Sequence, residues 1–418
     1  MTFLVLGIDL GTSGVRIAVL DRSNAIQYSA SIPYGFGLSK PDNWTEACVH
    51  LIAGIPAEQR GLIRALAVDG TSGTLLACDS TGRPHGEALL YSEICQGFEQ
   101  QLQTLVPEGG PAASSSGSLA RALQLTELHG PSTLLRHQAD WMNGWFLKNW
   151  TWGEEGNNVR LGWDLETQTW PGALREQPWL PRLPIIRPSG STLGTIATTR
   201  ALELGLPKDV QIVAGTTDSN AAVLATDPGD DDGITVLGTT LVMKRFTAAP
   251  IRGPGITSHR VGGRWLCGGA SNAGAGVLRQ FFSDEELNEL SRQINPDTNS
   301  GLMFRPLPRP GERFPVDDPT LQPVLTPRPV SDALFLHGLL EGLAEIEAQG
   351  WNTLAALGAK PPKRLISIGG GARNPQWRRI RERRLGIPVV TSRQPPAAGV
   401  ARLALEAMQD ASTSIENN

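Results

Sequence analysis

An acidic residue and a glycine-bounded turn stand together near the start of the chain, where Asp9 precedes the turn of residues 11–14. The glycines of this turn let the backbone approach a ligand closely, and successive amide N–H groups can bind an anion there. A carboxylate beside an anion site requires a cation between the two. The turn therefore indicates a site for a metal-bound polyphosphate, and an ordinary β-hairpin with a polar tip is the structural alternative.

The same pattern occurs again in residues 233–244, where the turn Gly238-Thr239-Thr240 joins two apolar segments. The two turns lie a little over half the chain apart. Duplication of one folding unit, with one hairpin in each half facing a shared cleft, explains this spacing better than coincidence. Such an arrangement resembles the fold of actin-like ATPases and sugar kinases.

Asp218 lies in a short polar turn between an apolar strand, which ends at Gly215, and a predicted helix of small residues. An aspartate at the start of a helix is commonly a structural N-cap. A carboxylate at the bottom of a cleft is also suited to act as a general base. The residues alone favour the structural role.

Residues 63–79 predict a strand, a polar turn and a second strand, and the tip of this turn repeats the Gly-Thr-Ser-Gly sequence of the first turn. The tip contains Thr71, Ser72 and Gly73. It is either a third hairpin of the scaffold or a ligand loop, and the sequence favours the scaffold.

Three consecutive glycines, residues 369–371, follow an apolar strand, and Trp377 comes soon after them. Packing alone seldom explains such a run, so we expect a flat ligand to lie against bare backbone here, covered by Trp377. Seven of the eleven tryptophans lie between residues 141 and 179. They predict either core packing, which is the more common role, or a surface on which a sugar stacks.

The composition limits the classes of function. A chain of 418 residues is long enough for two domains, and its net charge of −4 without a basic patch argues against nucleic acid as a partner. The four cysteines and six histidines show no metal-ligand spacing. The first strand leaves no room for a signal peptide, and no apolar run has transmembrane length, so we expect a cytoplasmic protein without a membrane partner.

Over essentially its whole length the chain resembles the FGGY family of carbohydrate kinases. The motifs that carry the resemblance follow the family's order along the chain: residues 9–13, 183–195, 205–207, 213–218, 237–240, 340–344 and 369–374. The resemblance implies an α/β fold, namely the two-domain actin-like ATPase (ribonuclease H-like) sugar-kinase fold with an interdomain cleft. It also implies a sugar-binding N-terminal domain of residues 1–225 with the C-terminal helix 399–418, and an ATP-binding C-terminal domain of residues 226–398.

The same resemblance implies the roles of the site residues. The cofactors are ATP and Mg²⁺, the other partner is a small-molecule sugar, and a monomer or homodimer is expected. Asp218 is the general base, and Asp9 holds Mg²⁺ through water. The sugar is contacted by Asp9, Thr71, Ser72, Gly73 and Asp218. ATP is bound by Gly11, Thr12, Ser13, Gly238, Thr239, Thr240, Gly369, Gly370, Gly371, Asn374 and Trp377.

The substrate is implied by one likeness and one departure. Many family members line the sugar pocket with a Trp-x-Asp-x-Arg segment, but residues 90–96 lack its Asp/Arg pair. The loop of residues 69–74 resembles a small subgroup from cyanobacteria and chloroplasts that phosphorylates D-ribulose and is xylulose-kinase-like. The resemblance therefore implies transfer of phosphate to the terminal primary hydroxyl of D-ribulose, with D-xylulose as the alternative.

Two functions of other classes share some of these features. A non-kinase actin-like ATPase would need both glycine turns but not the turn around Asp218 in this form. A degenerate sugar-binding regulator would not need Asp9, Asp218 and both turns to be intact. The sequence lacks Gly-Lys-(Ser/Thr), so a P-loop is excluded.

Overall fold

The computed structural model describes residues 3–35, 37–107 and 109–416, with backbone alone for residues 411–416. The chain divides into two compact units. The first unit comprises residues 1–225, 260–263 and 394–418, and the second comprises residues 226–259 and 264–393.

The first unit contains a six-stranded sheet, two short two-stranded sheets and the helices that pack against them. Its strands are β1 (Leu4–Leu10), β2 (Gly14–Asp21), β3 (Ile26–Pro33), β4 (Ile63–Gly70), β5 (Leu75–Cys78), β6 (Leu134–His137), β7 (Trp152–Glu154), β8 (Ile185–Arg187), β9 (Thr192–Thr195) and β10 (Gln211–Thr217). Its helices are α1 (Pro41–Ala53), α2 (Ala57–Arg60), α3 (Glu99–Leu105), α4 (Ser118–His129), α5 (Gln138–Leu147), α6 (Glu155–Asn158), α7 (Gly172–Arg175), α8 (Thr198–Leu204), α9 (Asp218–Leu224) and, after the four helices of the second unit, α14 (Pro396–Glu416).

The strands of the main sheet lie in the order β3-β2-β1-β4-β10-β9. Strands β1, β4 and β10 run parallel to one another, whereas β2, β3 and β9 are antiparallel to their neighbours. Every residue of β1 is buried, as expected for a central strand covered on both faces. Because parallel strands end at the same edge of the sheet, the residues at the ends of β1, β4 and β10 lie close together.

Helices cover both faces of this sheet. The even-numbered residues of β1 pack into a core with α1, α5 and α8. On the opposite face, α14 approaches so closely that a Cβ atom on Gly7 would lie 1.9 Å from the carbonyl oxygen of Ala397. Likewise, a Cβ atom on Gly399 would lie 1.9 Å from the carbonyl oxygen of Ala221 in α9. Glycine at these two positions therefore allows α14 to pack against β1 and α9.

The second unit has a six-stranded sheet of similar design. Its strands are β11 (Asp232–Leu237), β12 (Leu241–Thr247), β13 (Ile256–Val261), β14 (Arg264–Ala270), β15 (Arg364–Ile368) and β16 (Val389–Thr391), in the order β13-β14-β12-β11-β15-β16. Its helices are α10 (Ala275–Leu278), α11 (Asp284–Arg292), α12 (Asp332–Ala356) and α13 (Pro375–Leu385). Strand β11 forms a hairpin with β12 and runs parallel to β15, just as β1 pairs with β2 and with β4.

A buried ion pair joins the helices of the second unit to its sheet. The guanidinium of Arg381 in α13 donates to both carboxylate oxygens of Glu347 in α12, at 2.6 and 2.7 Å. Ser367 of β15 accepts a further hydrogen bond from Arg381, and Thr235 of β11 donates to Glu347. Both charged side chains are 1% exposed. A buried pair is stable only with such complete hydrogen bonding.

The segment of residues 63–79 differs from the sequence interpretation. Strand β4 stays in the main sheet between β1 and β10, but β5 leaves that sheet and pairs with β6. The segment is therefore not a third hairpin of the scaffold, and residues 71–74 connect two separate sheets. In addition, residues 394–398, which we predicted in the second domain, lie in the first unit because α14 begins at Pro396.

Candidate active site

Three aspartates lie at the carboxyl ends of neighbouring parallel strands in the first unit. Asp9 and Asp69 are the next-to-last residues of β1 and β4, and Asp218 directly follows β10. Asp9 and Asp69 are partners in the register of β1 and β4. Open α/β sheets bind their ligands outside the carboxyl ends of the strands. We therefore take this carboxylate cluster (Asp9, Asp69 and Asp218) as the centre of the candidate active site.

Asp9 is nearly inaccessible to solvent but has a positive partner. Its Oδ2 accepts a hydrogen bond of 3.1 Å from Nη1 of Arg16, whose side chain is 39% exposed. Arg16 also reaches Ser13 Oγ at 3.4 Å, so its guanidinium lies over the predicted phosphate turn. Burial raises the pKa of Asp9, and Arg16 acts in the opposite direction. Arg16 is therefore a cation held at the place where the sequence predicts a metal.

Asp69 is completely buried and lies against the carboxyl group of Asp9. Among the described residues, no donor is hydrogen-bonded to either of its carboxylate oxygens. Burial, the contact with Asp9 and the proximity of Asp218 hold the pKa of Asp69 well above its usual range. An ionised carboxylate in such surroundings costs several kcal/mol unless it is paired. Asp69 is thus the member of the cluster whose ionised form is energetically least favourable.

Asp218 is half-buried and is the first residue of α9, whereas Thr217 occupies the N-cap position. Asp218 Oδ1 accepts a hydrogen bond of 2.7 Å from the amide of Ser219. The pairing of β10 with β4 shifts register between Ala214 and Thr217, immediately before this residue. Asp218 is therefore not the N-cap aspartate of the structural interpretation, and its carboxylate lies at the edge of the sheet.

Hydrogen bonds to the side chain of Gln138 hold the predicted sugar loop, residues 71–73, in place. The amide and the hydroxyl of Thr71 both donate to Oε1 of Gln138, at 3.0 and 2.9 Å, and its hydroxyl lies 2.6 Å from Thr74 Oγ1. Thr71 is 2% exposed, whereas Ser72 is half-exposed. In this structure Thr71 therefore positions the loop, and the side chain of Ser72 is the one open to a ligand.

Gly73 requires glycine for its conformation, since its φ is +103°. The space beside it is lined by Arg121, Ser118 and Arg160, with Nη1 of Arg121 3.5 Å from an ideal Cβ position. Arg121 is fully buried and donates to the carbonyl oxygens of residues 90, 91 and 93. The segment that lacks the family's Asp/Arg pair is thus held in place by Arg121.

In the second unit, the predicted phosphate turn is tightly packed against the start of α10. The amide of Gly276 donates to the carbonyl oxygen of Thr239 at 3.1 Å. A Cβ atom on Gly274 would lie 2.4 Å from the same oxygen. The side chain of Thr239 is nevertheless exposed, and nothing but a carbonyl at 3.5 Å lies near a Cβ on Gly238. The turn therefore keeps an open outer surface.

The three glycines of residues 369–371 have different reasons for being glycine. Gly369 has a φ of +90°, and a Cβ atom on Gly371 would lie 2.4 Å from the ring of Trp377. Only Gly370 would have open space around a Cβ atom. Local geometry accounts for two of the three glycines, so Gly370 presents the bare backbone that the sequence assigned to the whole run.

Asn374 and Trp377 are both committed to the structure of the second unit. Asn374 caps α13 by accepting from the amide of Trp377 at 3.0 Å, and its Nδ2 donates to Ser291 at 2.8 Å. The indole of Trp377 is 1% exposed and packs beneath Gly371 in the core. This corrects the expectation that Trp377 covers a ligand, because its ring lies on the inner side of the glycine run.

The residues present are compatible with Mg²⁺ but do not form a complete protein cage. Within the parts of the chain that the structure describes, no group of three or more His, Cys, Asp or Glu side chains is placed to hold a metal ion. Magnesium in phosphoryl-transfer enzymes usually uses one or two carboxylates together with phosphate oxygens and water. Asp9 with a cationic partner, and Asp69 with uncompensated oxygens, fit such a partial site.

Two residues of this site were missed by sequence reasoning. Asp69 was placed in the loop of residues 69–74 but given no role, although it stands one residue before a glycine at a strand end, as Asp9 stands two residues before one. Arg16 lies seven residues after Asp9 and faces it across the β1–β2 hairpin. The antiparallel register of that hairpin places residue 16 opposite residue 9, so it would have identified Arg16 as the partner of Asp9.

A cavity of about 950 Å³ lies elsewhere in the second unit, against α12 and α13. Its walls include apolar side chains of residues 302–324 and two ion pairs, Glu341–Arg383 and Glu345–Arg384. None of the predicted site residues lines it. Glu341 and Gly342 in its wall belong to the motif of residues 340–344.

Comparison with known proteins agrees with the predicted fold. Residues 233–408 match the model of the C-terminal domain of the FGGY family of carbohydrate kinases. A xylulose kinase of Lactococcus lactis is 25% identical over 90% of this chain and 81% of its own length. The solved xylulose kinase of Lactobacillus acidophilus has a TM-score of 0.79, with 17% identity, 97% of this chain covered and 89% of that chain. The glycerol kinase of Plasmodium falciparum with ADP has a TM-score of 0.79, with 15% identity and coverage of 99% and 92%.

These structural likenesses confirm the α/β fold of actin-like ATPases and sugar kinases, in two domains. None of the helices in the described residues is both long and apolar enough to cross a membrane.

Proposed function

Because the chain belongs to the FGGY family of carbohydrate kinases and is a xylulose-kinase-like, ATP-dependent sugar kinase, we propose that it phosphorylates the terminal primary hydroxyl of a free pentulose. D-ribulose is the proposed substrate, and D-ribulose 5-phosphate is the product. The observation that carries this proposal is the carboxylate cluster, in which a half-buried aspartate stands beside two buried ones.

Asp218 is the proposed general base. Phosphoryl transfer asks the protein mainly for positioning and charge stabilisation, together with a group that accepts the proton of the attacking hydroxyl. Asp218 has a fixed place at the start of α9, and its Oδ1 is oriented by the amide of Ser219. Its carboxylate takes the proton from the primary hydroxyl as the oxygen attacks the γ-phosphorus atom.

The glycine turn of each unit is proposed to bind phosphate. In the first unit the exposed residues Thr12 and Ser13 follow Gly11, and in the second unit Gly238, Thr239 and Thr240 form the corresponding turn. Gly370 is the proposed contact for the flat adenine base, since its backbone is open. Mg²⁺ held by Asp9 would supply positive charge to the phosphate oxygens.

Two observations bear on the choice of pentulose, and one favours D-ribulose whereas the other favours D-xylulose. The loop of residues 69–74 resembles that of D-ribulose kinases, and its half-exposed Ser72 is available for a sugar hydroxyl. D-xylulose is the second candidate, because the relatives with high coverage include xylulose kinases of Lactococcus lactis and Escherichia coli. The two sugars differ in the configuration of one hydroxyl, so the assay must compare them directly.

The test is ADP release from ATP and Mg²⁺ with D-ribulose, L-ribulose, D-xylulose, L-xylulose or glycerol, and without sugar. We expect a sharp increase with D-ribulose and formation of its 5-phosphate, detected by mass spectrometry. The largest increase with D-xylulose would replace the proposed substrate. A rate that is the same with every sugar and without sugar would refute the kinase proposal and favour an actin-like ATPase.

A further inference from the structure

We propose that Asp69 is the second carboxylate of the divalent-cation site at Asp9, to which it contributes negative charge from the adjacent strand β4. This inference rests on the proposed function, because it concerns the Mg²⁺ that accompanies ATP. Asp69 acts as a positioning residue: it strengthens cation binding and does not take part in proton transfer.

The first argument is the placement of the two side chains. In the parallel register of β1 and β4, Asp9 is paired with Asp69, and Gly7 is paired with Ala67. Alternate residues of a strand point to the same face. Asp9 therefore lies on the face of Gly7, which α14 covers, and Asp69 lies on that face of the adjacent strand. The two carboxyl groups are in contact there.

The second argument is that, beside the carboxyl group of Asp9, the described residues offer Asp69 no hydrogen-bond donor. It is 0% exposed, and within the described residues neither of its oxygens accepts a hydrogen bond. Asp140, another buried aspartate of this unit, receives hydrogen bonds from the amide of Glu154 and from Asn158. Buried carboxylates are normally satisfied in this way. The exception at Asp69 points to a partner that the polypeptide does not supply.

The third argument is the balance of charge around the pair. Arg16 contributes one positive charge, and it contacts Asp9 from the solvent side without hydrogen-bonding to Asp69. Asp218 adds its negative charge to the surroundings of Asp69. A divalent cation carries the charge that Asp9 and Asp69 together require. Carboxylates are ligands that Mg²⁺ and Mn²⁺ accept, and outer partners of a ligand change metal affinity by about 10–100-fold.

The experiment compares Mn²⁺ binding to the full-length protein and to Asp69→Asn, measured by electron paramagnetic resonance with and without ADP. The substitution keeps the shape of the side chain and removes its charge. We expect the Kd for Mn²⁺ to rise about 10–100-fold. An unchanged Kd would overturn the proposal. The matched control is Asp79→Asn, a half-exposed turn residue whose Oδ1 accepts from the amides of residues 81 and 83. It should retain the wild-type Kd.

A purely structural role makes a different prediction. If Asp69 only maintains the fold, Asp69→Asn changes the midpoint of thermal unfolding by the same amount with and without Mn²⁺. Under the proposal, the variant is at least as stable as the wild type without the cation, and it gains less stability when Mn²⁺ is added.

A second measurement needs no variant. Fe²⁺ bound in place of Mg²⁺ cleaves the backbone near its site when ascorbate and peroxide are added, and mass spectrometry locates the cuts. We expect wild-type cleavage near Asp9 on β1 and near Asp69 on β4, both suppressed by excess Mg²⁺. Cleavage at β1 without cleavage at β4 would overturn the proposal.

These results are independent of the sugar assay. Weak Mn²⁺ binding by Asp69→Asn in a protein without sugar-dependent ADP release would refute the proposed function and leave the cation site standing. Sugar-dependent ADP release together with unchanged Mn²⁺ binding by Asp69→Asn would support the proposed function and refute the role of Asp69 in the cation site.

Discussion

Replacing Asp218 by alanine should almost abolish sugar phosphorylation while leaving the protein folded. Loss of a general base lowers kcat by about 10²–10⁴, which corresponds to an increase of about 3–5 kcal/mol in the activation barrier. The structural cost is smaller, because the hydrogen bond that Asp218 Oδ1 accepts from the amide of Ser219 is exposed. Loss of such a bond lowers the free energy of unfolding by about 1 kcal/mol. The catalytic and structural effects are therefore separable.

The assay measures kcat with saturating D-ribulose and ATP, the affinity for a non-hydrolysable ATP analogue, and the midpoint of thermal unfolding. Asp218→Asn keeps the oxygen that accepts from Ser219 but cannot take the proton, so it should lose as much activity as Asp218→Ala. Asp209→Asn is the matched control, because Asp209 is exposed and precedes the other end of β10. Retained activity in Asp218→Asn, or an equally large loss of nucleotide affinity, would refute the role of Asp218 as a base.

Three further substitutions test the packing and electrostatics around the two sheets. Gly399→Val should lower the free energy of unfolding by about 1–3 kcal/mol or more and reduce activity, because even a Cβ atom would lie 1.9 Å from the carbonyl oxygen of Ala221. Urea unfolding measures the free energy of unfolding, and a variant as stable as the wild type would contradict the prediction. Arg381→Met should cost about 3–5 kcal/mol, because it leaves the buried Glu347 without its cation, and the double variant with Glu347→Leu should recover much of that loss in the same assay. Burial raises the pKa of Glu155 to about 7, so the contribution of Glu155 to stability is fully present below its unfolded pKa and is lost as the pH rises through 7. Glu155→Gln should therefore flatten the dependence of the unfolding free energy on pH between about 4.5 and 7. Parallel pH profiles of the variant and the wild type would contradict this.

The elements of the fold were largely predictable from the sequence because they depend on local patterns. The apolar segments on both sides of the turns at residues 11–14 and 238–240 predicted one hairpin in each half, and both hairpins are present. The partner of a strand is a non-local property, and it was predicted less well. β5 looked like the return strand of a hairpin, yet it pairs with β6, more than fifty residues further along the chain.

The candidate site shows the same distinction. Glycine turns are visible in a sequence, so the stretches around Asp9 and Gly238 could be found without a structure. Whether a particular glycine serves a ligand or the fold is not visible, and Gly371 proved to make room for the ring of Trp377. Asp69 was overlooked because its importance arises from being buried without a partner, which depends on β4 lying beside β1.

The close packing of α14 also determines when the first unit can be completed in the cell. The ribosome synthesises the segments that carry Asp9, Asp69 and Asp218 before the second unit, and it synthesises α14 after that unit. Until α14 emerges, the face of β1 at Gly7 and the side of α9 at Ala221 lack their covering helix. The second unit can therefore fold on the nascent chain before α14 covers the sheet that carries Asp9 and Asp69. A chain that stops before α14 consequently lacks the helix that covers β1 and α9 beside the carboxylate cluster.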